Sequence, residues 1–271
     1  MPENRLVDAT RHEEMVSPVD GKKGILAMEG LVAGYNRQEI IHDATASFSE
    51  GSATAIIGPN GAGKSTLFKA VFGIAKCFSG RLKVDDAEIK VGDVAAFYRL
   101  GIAYVPQVRN VFPSLTVREN LLLGTRRRSE ASRIEHVVEL FPDLGKAMRT
   151  HGGDLSGGQR NMLAVGRALM ADPKYLLIDE VSGGLSPLAA ELLWAKLGTL
   201  KDQGLTIVAV EQNVHMALEF CERVYLMISG RMRPAESSAE LVERVDLGTV
   251  FLEGESESNL QLTQRPVGQS S

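Results

Sequence analysis

Residues 58–66 read GPNGAGKST, a stretch whose residue types and spacing suit the binding of phosphate groups. Four of them match the pattern G-x-x-x-x-G-K-[ST]: Gly58, Gly63, Lys64 and Ser65. The glycines let the backbone turn tightly and direct its N–H groups at phosphate oxygens. Lys64 would reach the β- and γ-phosphates, and Ser65 would bind Mg²⁺. A purely structural glycine turn is the alternative, and the predicted strand before the motif and helix after it argue against it.

A pair of acids, Asp179 and Glu180, ends the apolar run YLLIDE at 175–180. Such a run predicts a buried strand, and ligands bind at the carboxyl ends of strands in open α/β sheets. Asp179 is placed to hold the Mg²⁺ shell, and Glu180 to orient and activate an attacking water. Alone, the pair equally fits solvated turn acids, but after the phosphate motif we favour the catalytic interpretation.

Two further side chains suit a nucleotide site. Gln107, in YVPQ, follows another short strand-like run. Its amide both donates and accepts hydrogen bonds, so it can join a Mg²⁺–water shell. Tyr35 precedes the phosphate motif and could stack on adenine. Taken alone, Gln107 fits equally well a loop glutamine without a function. For Tyr35 alone, an aromatic residue of the core or the surface is the simpler explanation.

The segment LSGGQ at 155–159 begins a second glycine-rich helix. Ser156 and Gln159 have the spacing of a capping box, which is the simplest explanation. It leaves Gly157 and Gly158 unexplained, because each glycine in a helix costs about 1 kcal/mol relative to alanine. A helix N-terminus beside a serine hydroxyl suits a γ-phosphate. In a head-to-tail dimer with twofold symmetry, this segment would close on the ATP of the other chain.

These residues need a framework of alternating strands and helices. Apolar runs predict strands over 25–33, 40–49, 52–58, 81–85, 101–105, 175–179, 205–210 and 223–228. Helical patterns cover 64–75, 116–123, 131–141, 157–171, 187–203 and 213–221. The runs at 175–179 and 205–210 are nearly continuous in apolar residues, as in a parallel sheet with helices on both faces. We therefore predict an α/β core with a helical subdomain inserted at about 108–160.

The composition bounds the class of protein. Of 271 residues, 44% are hydrophobic and 24% charged, and the net charge of −4 gives no global basic field for nucleic acid. No apolar run reaches the roughly 18 residues of a membrane helix, and the polar N-terminus does not resemble a signal peptide. We expect a cytoplasmic protein that meets the membrane through a partner. Residues 1–22 and 254–271 should flank a domain at 23–253 as flexible extensions, and Arg126-Arg127-Arg128 should form a solvated turn or helix end.

The order of the motifs resembles that of ABC-transporter ATPases. The phosphate motif, Gln107, LSGGQ and YLLIDE follow one another as in that family, and the similarity covers roughly residues 25–235. Four stretches resemble in particular the ATP-binding subunits of branched-chain amino acid importers: GYNRQEIIHDATASFSEG, LGIAYVPQVRNVFPSLTVRENL, ELFPDL and LSGGQRNMLAVGRALMADPKYLLIDE.

The resemblance implies a P-loop NTPase core of the ABC ATPase type, with a mixed or parallel sheet, flanking helices, an N-terminal antiparallel β part and an inserted helical subdomain. It implies ATP and Mg²⁺, with Glu180, Lys64 and Gln212 in catalysis and Ser65, Gln107 and Asp179 at the metal. The implied nucleotide contacts are Tyr35, Gly58, Pro59, Asn60, Gly61, Ala62, Gly63, Lys64, Ser65, Thr66, Gln107, Ser156, Gly157, Gly158 and Gln159. The implied partners are a second ATPase subunit (identical or a paralogue), membrane permease subunits and, indirectly, a solute-binding protein; nucleic acid is not among them.

Three positions depart from the family pattern. Val181 follows the acid pair where many members have proline, and Ser186 stands where many have aspartate. Gln212 occupies the position of the switch histidine at the end of the 205–210 strand. It can still donate a hydrogen bond to a γ-phosphate but cannot be a cation or a proton shuttle. His215 would replace the histidine only with a shifted backbone.

Two other functions stay open. The chain could serve an importer of another solute, such as urea, an amide or a lipid, because the solute contacts the permease and the binding protein. A soluble ABC protein acting on nucleic acid or ribosomes is the second alternative. It is disfavoured because such proteins usually carry two ATPase halves or a basic arm.

Overall fold

A computed structural model of the chain describes residues 25–85, 87–125 and 130–243. The extensions expected at 1–22 and 254–271, and the run Arg126-Arg127-Arg128, lie outside the described residues. The limits expected for the domain, 23 and 253, fall outside them as well, so those limits remain a prediction.

The strands form two sheets. The first is antiparallel, with the order β2-β1-β4-β5. Its strands are β1 (Ile25–Tyr35), β2 (Gln38–Ser49), β4 (Lys76–Val84) and β5 (Ala87–Ile89). The second follows the order β10-β9-β3-β8-β7-β6, and β11 pairs with β9. Its strands are β3 (Ala53–Ile57), β6 (Ile102–Val105), β7 (Tyr175–Asp179), β8 (Thr206–Glu211), β9 (Arg223–Ile228), β10 (Arg231–Met232) and β11 (Glu236–Ser237).

Helices connect the strands of the second sheet. They are α1 (Lys64–Val71), α2 (Val94–Leu100), α3 (Val117–Leu122), α4 (Glu130–Leu140), α5 (Pro142–Lys146), α6 (Gly157–Leu169), α7 (Pro187–Asp202), α8 (Val214–Phe220) and α9 (Ser238–Glu243), with a 3-10 turn at Gly152–Asp154. Between β6 and β7 the described chain is helical apart from one isolated bridge, Thr116 with His151. That 108–160 forms a separate helical subdomain remains a prediction.

Parallel pairing brings four strand ends to one edge of the second sheet. β3 lies between β8 and β9, and β7 lies between β8 and β6, all in parallel. Ile57 is the register partner of Glu211, and Asp179 that of Val210. The loops that follow β3, β6, β7 and β8 therefore start side by side, as expected for ligand binding at the carboxyl edge of such a sheet.

The core consists of two apolar clusters, one on each face of this sheet. Leu176 and Ile178 belong to the cluster that includes residues of α6 and α7, while Tyr175 and Leu177 belong to the cluster that includes residues of β1, β2 and α1. Successive strand residues point to opposite faces. Both faces are covered, which explains why the run at 175–179 is apolar without alternation.

All the predicted strands and helices occur; the strands at 175–179 and 223–228 have the predicted ends, and the others are shifted at one or both ends. The strand expected at 81–85 begins at Lys76, because residues 76–79 also pair with β1. The helix expected to reach residue 75 ends at Val71, and the backbone N–H groups of Ile74 and Ala75 turn back to the Lys69 carbonyl. The shorter elements β5, α2, α5, β10, β11 and α9 were not predicted.

Candidate nucleotide-binding site

The loop between β3 and α1 carries the phosphate motif in the predicted strand–loop–helix setting. Gly61 and Gly63 have positive φ angles of 80° and 104°, which glycine adopts without steric cost. Gly63 is the N-cap of α1, and no side chain caps that helix. The N–H groups of the first turn of α1 are thus free of a side-chain acceptor, which suits an anion.

Gly58 serves a different purpose from the one predicted. Its φ angle is not positive, so it is not the residue that turns the loop. A Cβ atom at this position would lie 2.0 Å from the carbonyl oxygen of Met227 on β9. The glycine is therefore needed because β3 and β9 approach each other closely at the start of the loop.

Lys64 lies at the centre of the site and is only 4% exposed. Its Nζ atom donates to the carbonyl oxygens of Gly58 at 2.9 Å and Pro59 at 3.1 Å, and lies 4.0 Å from a carboxylate oxygen of Glu180. Burial lowers the pKa of Lys64, against the opposing effect of the carboxylates of Glu180, Asp179 and Glu211. The ammonium group is held among oxygens with little water around it.

Asp179 is buried at the end of β7 and is held by two hydroxyl groups. Ser65 Oγ donates to Asp179 Oδ1 at 2.8 Å, as the predicted shared role of the two residues requires. Tyr104, on β6, donates to Asp179 Oδ2 at 3.2 Å. Burial raises the pKa of Asp179 despite these hydrogen bonds, and burial also raises the pKa of Tyr104. Sequence reasoning missed Tyr104, because an aromatic residue in a strand is equally typical of a core.

Glu180 follows Asp179 with a left-handed backbone, at a φ angle of 49°. Its N–H donates to the Val210 carbonyl at 2.9 Å, so β8 fixes its position. Gln107 Nε2 donates to the Glu180 carboxylate. The structure therefore brings Lys64, Gln107 and Glu180 together, as the sequence predicts.

Glu211 is a second buried acid near this edge, and sequence reasoning did not single it out. Its side chain is 1% exposed and accepts from Ser182 Oγ at 2.8 Å and from Ser182 N–H at 3.4 Å. Burial raises the pKa of Glu211 to about 7. Its position at the end of an apolar strand, next to Gln212, was the available signal.

The segment at 155–159 forms the predicted capping box. Ser156 Oγ accepts from the Gln159 N–H at 3.2 Å, and the Gln159 side chain accepts from the Ser156 N–H at 3.1 Å. A Cβ on Gly157 or Gly158 would meet no heavy atom closer than 3.9 Å. The fold of the chain itself therefore does not demand these glycines. Within the described residues, no hydrogen bond or ion pair joins 156–159 to 58–66.

The remaining predicted residues lie around this cluster. Tyr35 ends β1 and is 42% exposed, and the side chains of Ile40 and Ile41 on the next strand lie beside Gly63. Gln212 directly follows β8 and is exposed, and His215 is exposed on α8, 3.7 Å from the Glu219 carboxylate. The other residues of the motif, in the loop or the first turn of α1, are Pro59, Asn60, Ala62 and Thr66.

Two of the departures from the family pattern have structural roles. Val181 is buried in the cluster that includes residues of α6 and α7. Ser186 is the N-cap of α7, and its hydroxyl accepts from the Ala189 N–H at 3.3 Å. Both substitutions are therefore accommodated by the fold, one through apolar packing and the other through a helix cap.

A model of the ABC transporter family matches residues 41–183. The chain belongs to the ABC transporter family. This ABC cassette is 41% identical over 217 residues to the probable branched-chain amino acid transport ATP-binding protein LivF of Archaeoglobus fulgidus, which covers 79% of this chain and 92% of LivF. It is 34% identical to the high-affinity branched-chain amino acid transport ATP-binding protein BraG of Pseudomonas aeruginosa, in an alignment that covers 85% of this chain and 100% of BraG. It is 30% identical to the lipopolysaccharide export system ATP-binding protein LptB of Escherichia coli, in an alignment that covers 84% of this chain and 96% of LptB.

Solved structures show the same fold. The ADP conformation of MJ1267, an ATP-binding cassette of an ABC transporter, matches with a TM-score of 0.74 and 27% identity, over 86% of this chain and 98% of that one. The cassette is thus a nucleotide-binding ATPase subunit of a transporter. No helix within the described ranges is both long and apolar enough to cross a membrane.

Proposed function

We propose that this cassette hydrolyses ATP to drive a membrane importer of branched-chain amino acids. The observation that carries the proposal is the meeting of Lys64, Asp179 and Glu180 at the uncapped N-terminus of α1. The names of LivF and BraG support the choice of solute. The cassette would lie on the cytoplasmic face of the membrane, bound to permease subunits.

Nucleotide binding would rest on charge and on backbone N–H groups. The loop at 58–63 and the first turn of α1 offer N–H donors and the positive end of the helix dipole to the phosphates. Lys64 would exchange the carbonyl oxygens of Gly58 and Pro59 for phosphate oxygens. Tyr35 is the proposed stacking residue for adenine, because it ends β1, which pairs with β2, and Ile40 and Ile41 of β2 lie beside Gly63.

The donor set beside Lys64 fits Mg²⁺. One hydroxyl and one buried carboxylate, Ser65 and Asp179, lie 2.8 Å apart, and Mg²⁺ prefers such oxygen ligands together with phosphate oxygens and water. Gln107 is the proposed third contributor, through its amide oxygen. When bound, Mg²⁺ would neutralise charge on the β- and γ-phosphates. Tyr104 would hold the second oxygen of Asp179 so that the first stays directed toward Ser65.

Glu180 is the proposed base for the attacking water. Its backbone is fixed by β8, and its carboxylate accepts a hydrogen bond from Gln107. If Gln107 served as a ligand of bound Mg²⁺, that carboxylate would be free to accept a proton. Catalysis here is positioning and charge neutralisation, with Lys64 and Gln212 as donors to the γ-phosphate.

The site would be completed by a second ATPase subunit. Ser156, Gly157, Gly158 and Gln159 form a helix start with open space around the glycines. We propose that this surface closes on the γ-phosphate held by the partner, which is an identical chain or a paralogue. Opening and closing would be passed to the permease through the region 108–120.

Another solute is the second candidate, and LptB supports it, since its name assigns it to lipopolysaccharide export. The solute would contact the permease and a separate binding protein. Purification of the complex in mild detergent, followed by identification of the solute retained by its binding protein, would distinguish the two. Retention of a lipid, urea or an amide would exclude branched-chain amino acids.

The central test is a Glu180→Gln substitution. We expect ATP turnover to fall by about 10²- to 10⁴-fold, the usual contribution of a general base, while ATP affinity is retained. Turnover is measured by phosphate release and affinity by equilibrium binding. A variant that hydrolyses ATP at the wild-type rate would show that Glu180 is not the base.

A further inference from the structure

We infer that Glu211 is a positioning residue that ties the chain after Glu180 to the strand end that carries Gln212. This inference rests on the proposed ATP hydrolysis and adds a residue to it. The inference is based on the hydrogen bonds between the buried carboxylate of Glu211 and Ser182, which lies two residues after Glu180.

The contacts of Glu211 reach both sides of the site. On one side, Ser182 gives it two hydrogen bonds, from its hydroxyl at 2.8 Å and from its backbone N–H at 3.4 Å. On the other side, Glu211 is the last residue of β8 and directly precedes Gln212 in the chain. A single carboxylate therefore links the backbone beside the proposed base to the backbone of the proposed γ-phosphate donor.

The segment 180–182 needs such a support. Glu180 has a left-handed backbone, which is unfavourable for a residue with a side chain. Two further hydrogen bonds hold this segment: Glu180 N–H to the Val210 carbonyl, and Asn161 Nδ2 to the Val181 carbonyl at 2.6 Å. Ser182 is the third consecutive residue whose position is fixed by a hydrogen bond. Its partner, Glu211, is a side chain of β8, whereas Glu180 bonds to a backbone carbonyl of β8 and Val181 to a side chain of α6.

A merely structural role for Glu211 makes a different prediction. A buried hydrogen-bonded acid can stabilise the fold without influencing catalysis, and its loss would then lower thermal stability alone. A positioning role predicts a fall in kcat at unchanged nucleotide affinity, because the phosphate-binding groups at 58–66 are not touched. It also predicts rescue by a side chain that restores the hydroxyl group.

The experiment compares Ser182→Ala, Ser182→Thr and Glu211→Gln in the full chain. Ser182 is only partly buried, so its variants are expected to fold. We expect Ser182→Ala to lower kcat by roughly tenfold, the effect of one hydrogen bond to a charged group, with ADP affinity within about twofold of wild type. Ser182→Thr should keep most of kcat. Ser79→Ala, an exposed serine on β4, is the matched control.

Glu211→Gln should act like Ser182→Ala, because an amide retains only one acceptor oxygen. The double variant Ser182→Ala with Glu211→Gln should be no slower than the slower single variant, since both remove one link. The inference is overturned if Ser182→Ala keeps the kcat of the Ser79→Ala control, if Ser182→Thr is as slow as Ser182→Ala, or if the effects of the two changes multiply. Absence of ATP turnover in the wild-type protein would instead overturn the proposed function.

Discussion

At the scale of single residues, the site holds ionisable groups that burial drives toward their neutral forms. The pKa of Lys64 is lowered and that of Asp179 is raised, although the two carry opposite charges and lie in one cluster. In both, loss of hydration outweighs attraction between the groups. A ligand that brings both anionic oxygens and a cation would relieve this cost, which is what a nucleotide with a divalent metal supplies.

Replacement of Lys64 by alanine should therefore weaken nucleotide binding. We expect the Kd for ATP to rise by at least tenfold, since a hydrogen bond to a charged group contributes about 1.5–3 kcal/mol. Equilibrium binding of a fluorescent nucleotide measures the change. Lys90→Ala, at an exposed lysine, is the control and should leave Kd unchanged. Equal affinity of the two variants would contradict the role of Lys64.

Glu211 should make the stability of the protein depend on pH. Its pKa is raised from the ordinary 4.5 to about 7, so between these values the folded protein keeps a proton that the unfolded chain has lost. The free energy of unfolding should then fall as the pH rises through this window, by roughly 3 kcal/mol for complete ionisation.

Glu211→Gln should lack this component. Its stability relative to wild type should increase from pH 5 to pH 8, as measured by urea unfolding at several pH values. Parallel stability curves for the two proteins would show that the buried carboxyl is not protonated in the folded state over this range.

At the scale of elements, one buried side chain organises the turn that leads into α3. Asn120 is fully buried; its Oδ1 accepts from Phe112 N–H, and its Nδ2 donates to the carbonyls of Phe112, Leu115 and Thr116. Its hydrogen bonds take the place of water for the backbone at 112–116, which lies within the region 108–120 proposed to couple to the permease. An apolar residue here would leave those groups buried without partners.

Asn120→Ala should lower the free energy of unfolding by about 2–3 kcal/mol, the usual cost of leaving buried polar groups unpaired. Denaturant unfolding measures the loss. Arg118→Ala, at an exposed position of the same helix, should change stability by less than about 0.5 kcal/mol. A loss of the same size in both variants would mean that Asn120 has no special role.

The long apolar runs and the motifs could be predicted because they are local. Residues 175–178 are apolar and form a strand that ends at Asp179, and GPNGAGKST forms the loop and helix start that its pattern predicts. The pairs Ser182–Glu211 and Tyr104–Asp179 could not be predicted, since their members are 29 and 75 residues apart and meet only through the strand order. Gly58 was placed correctly but for the wrong reason, because its close neighbour, Met227, is 169 positions later (227 − 58).

At the scale of the whole molecule, the glycine pair at 157–158 has no explanation within a single chain. A Cβ on Gly157 would have no neighbour closer than the Gly184 carbonyl oxygen, at 4.0 Å. Substitution should be harmless to the isolated subunit and even favourable for α6, since glycine costs about 1 kcal/mol in a helix. Any loss of activity would then come from contact with another molecule.

Gly157→Leu should therefore keep or raise the melting temperature while it abolishes most ATP turnover. The comparison needs thermal unfolding, turnover and nucleotide affinity on the same preparation, and we expect affinity to remain at the wild-type level. If the dimer is formed by two identical chains, mixing the variant with an excess of Lys64→Ala subunits should restore part of the activity. One site of the mixed dimer combines the intact Lys64 of the first subunit with the intact 156–159 segment of the second, while the other site carries both substitutions. Undiminished turnover of Gly157→Leu would contradict a shared site.

The close approach of Gly58 and Met227 shows that a residue of the phosphate motif can be required by the fold and not by the activity. A side chain at 58 would collide with a backbone oxygen of β9 whether or not nucleotide is ever bound. A descendant of this protein that had lost all enzymatic function, yet still had to fold, would keep that glycine. Survival of Lys64 or Glu180, which the fold does not require in this way, would be the better sign that the activity persists.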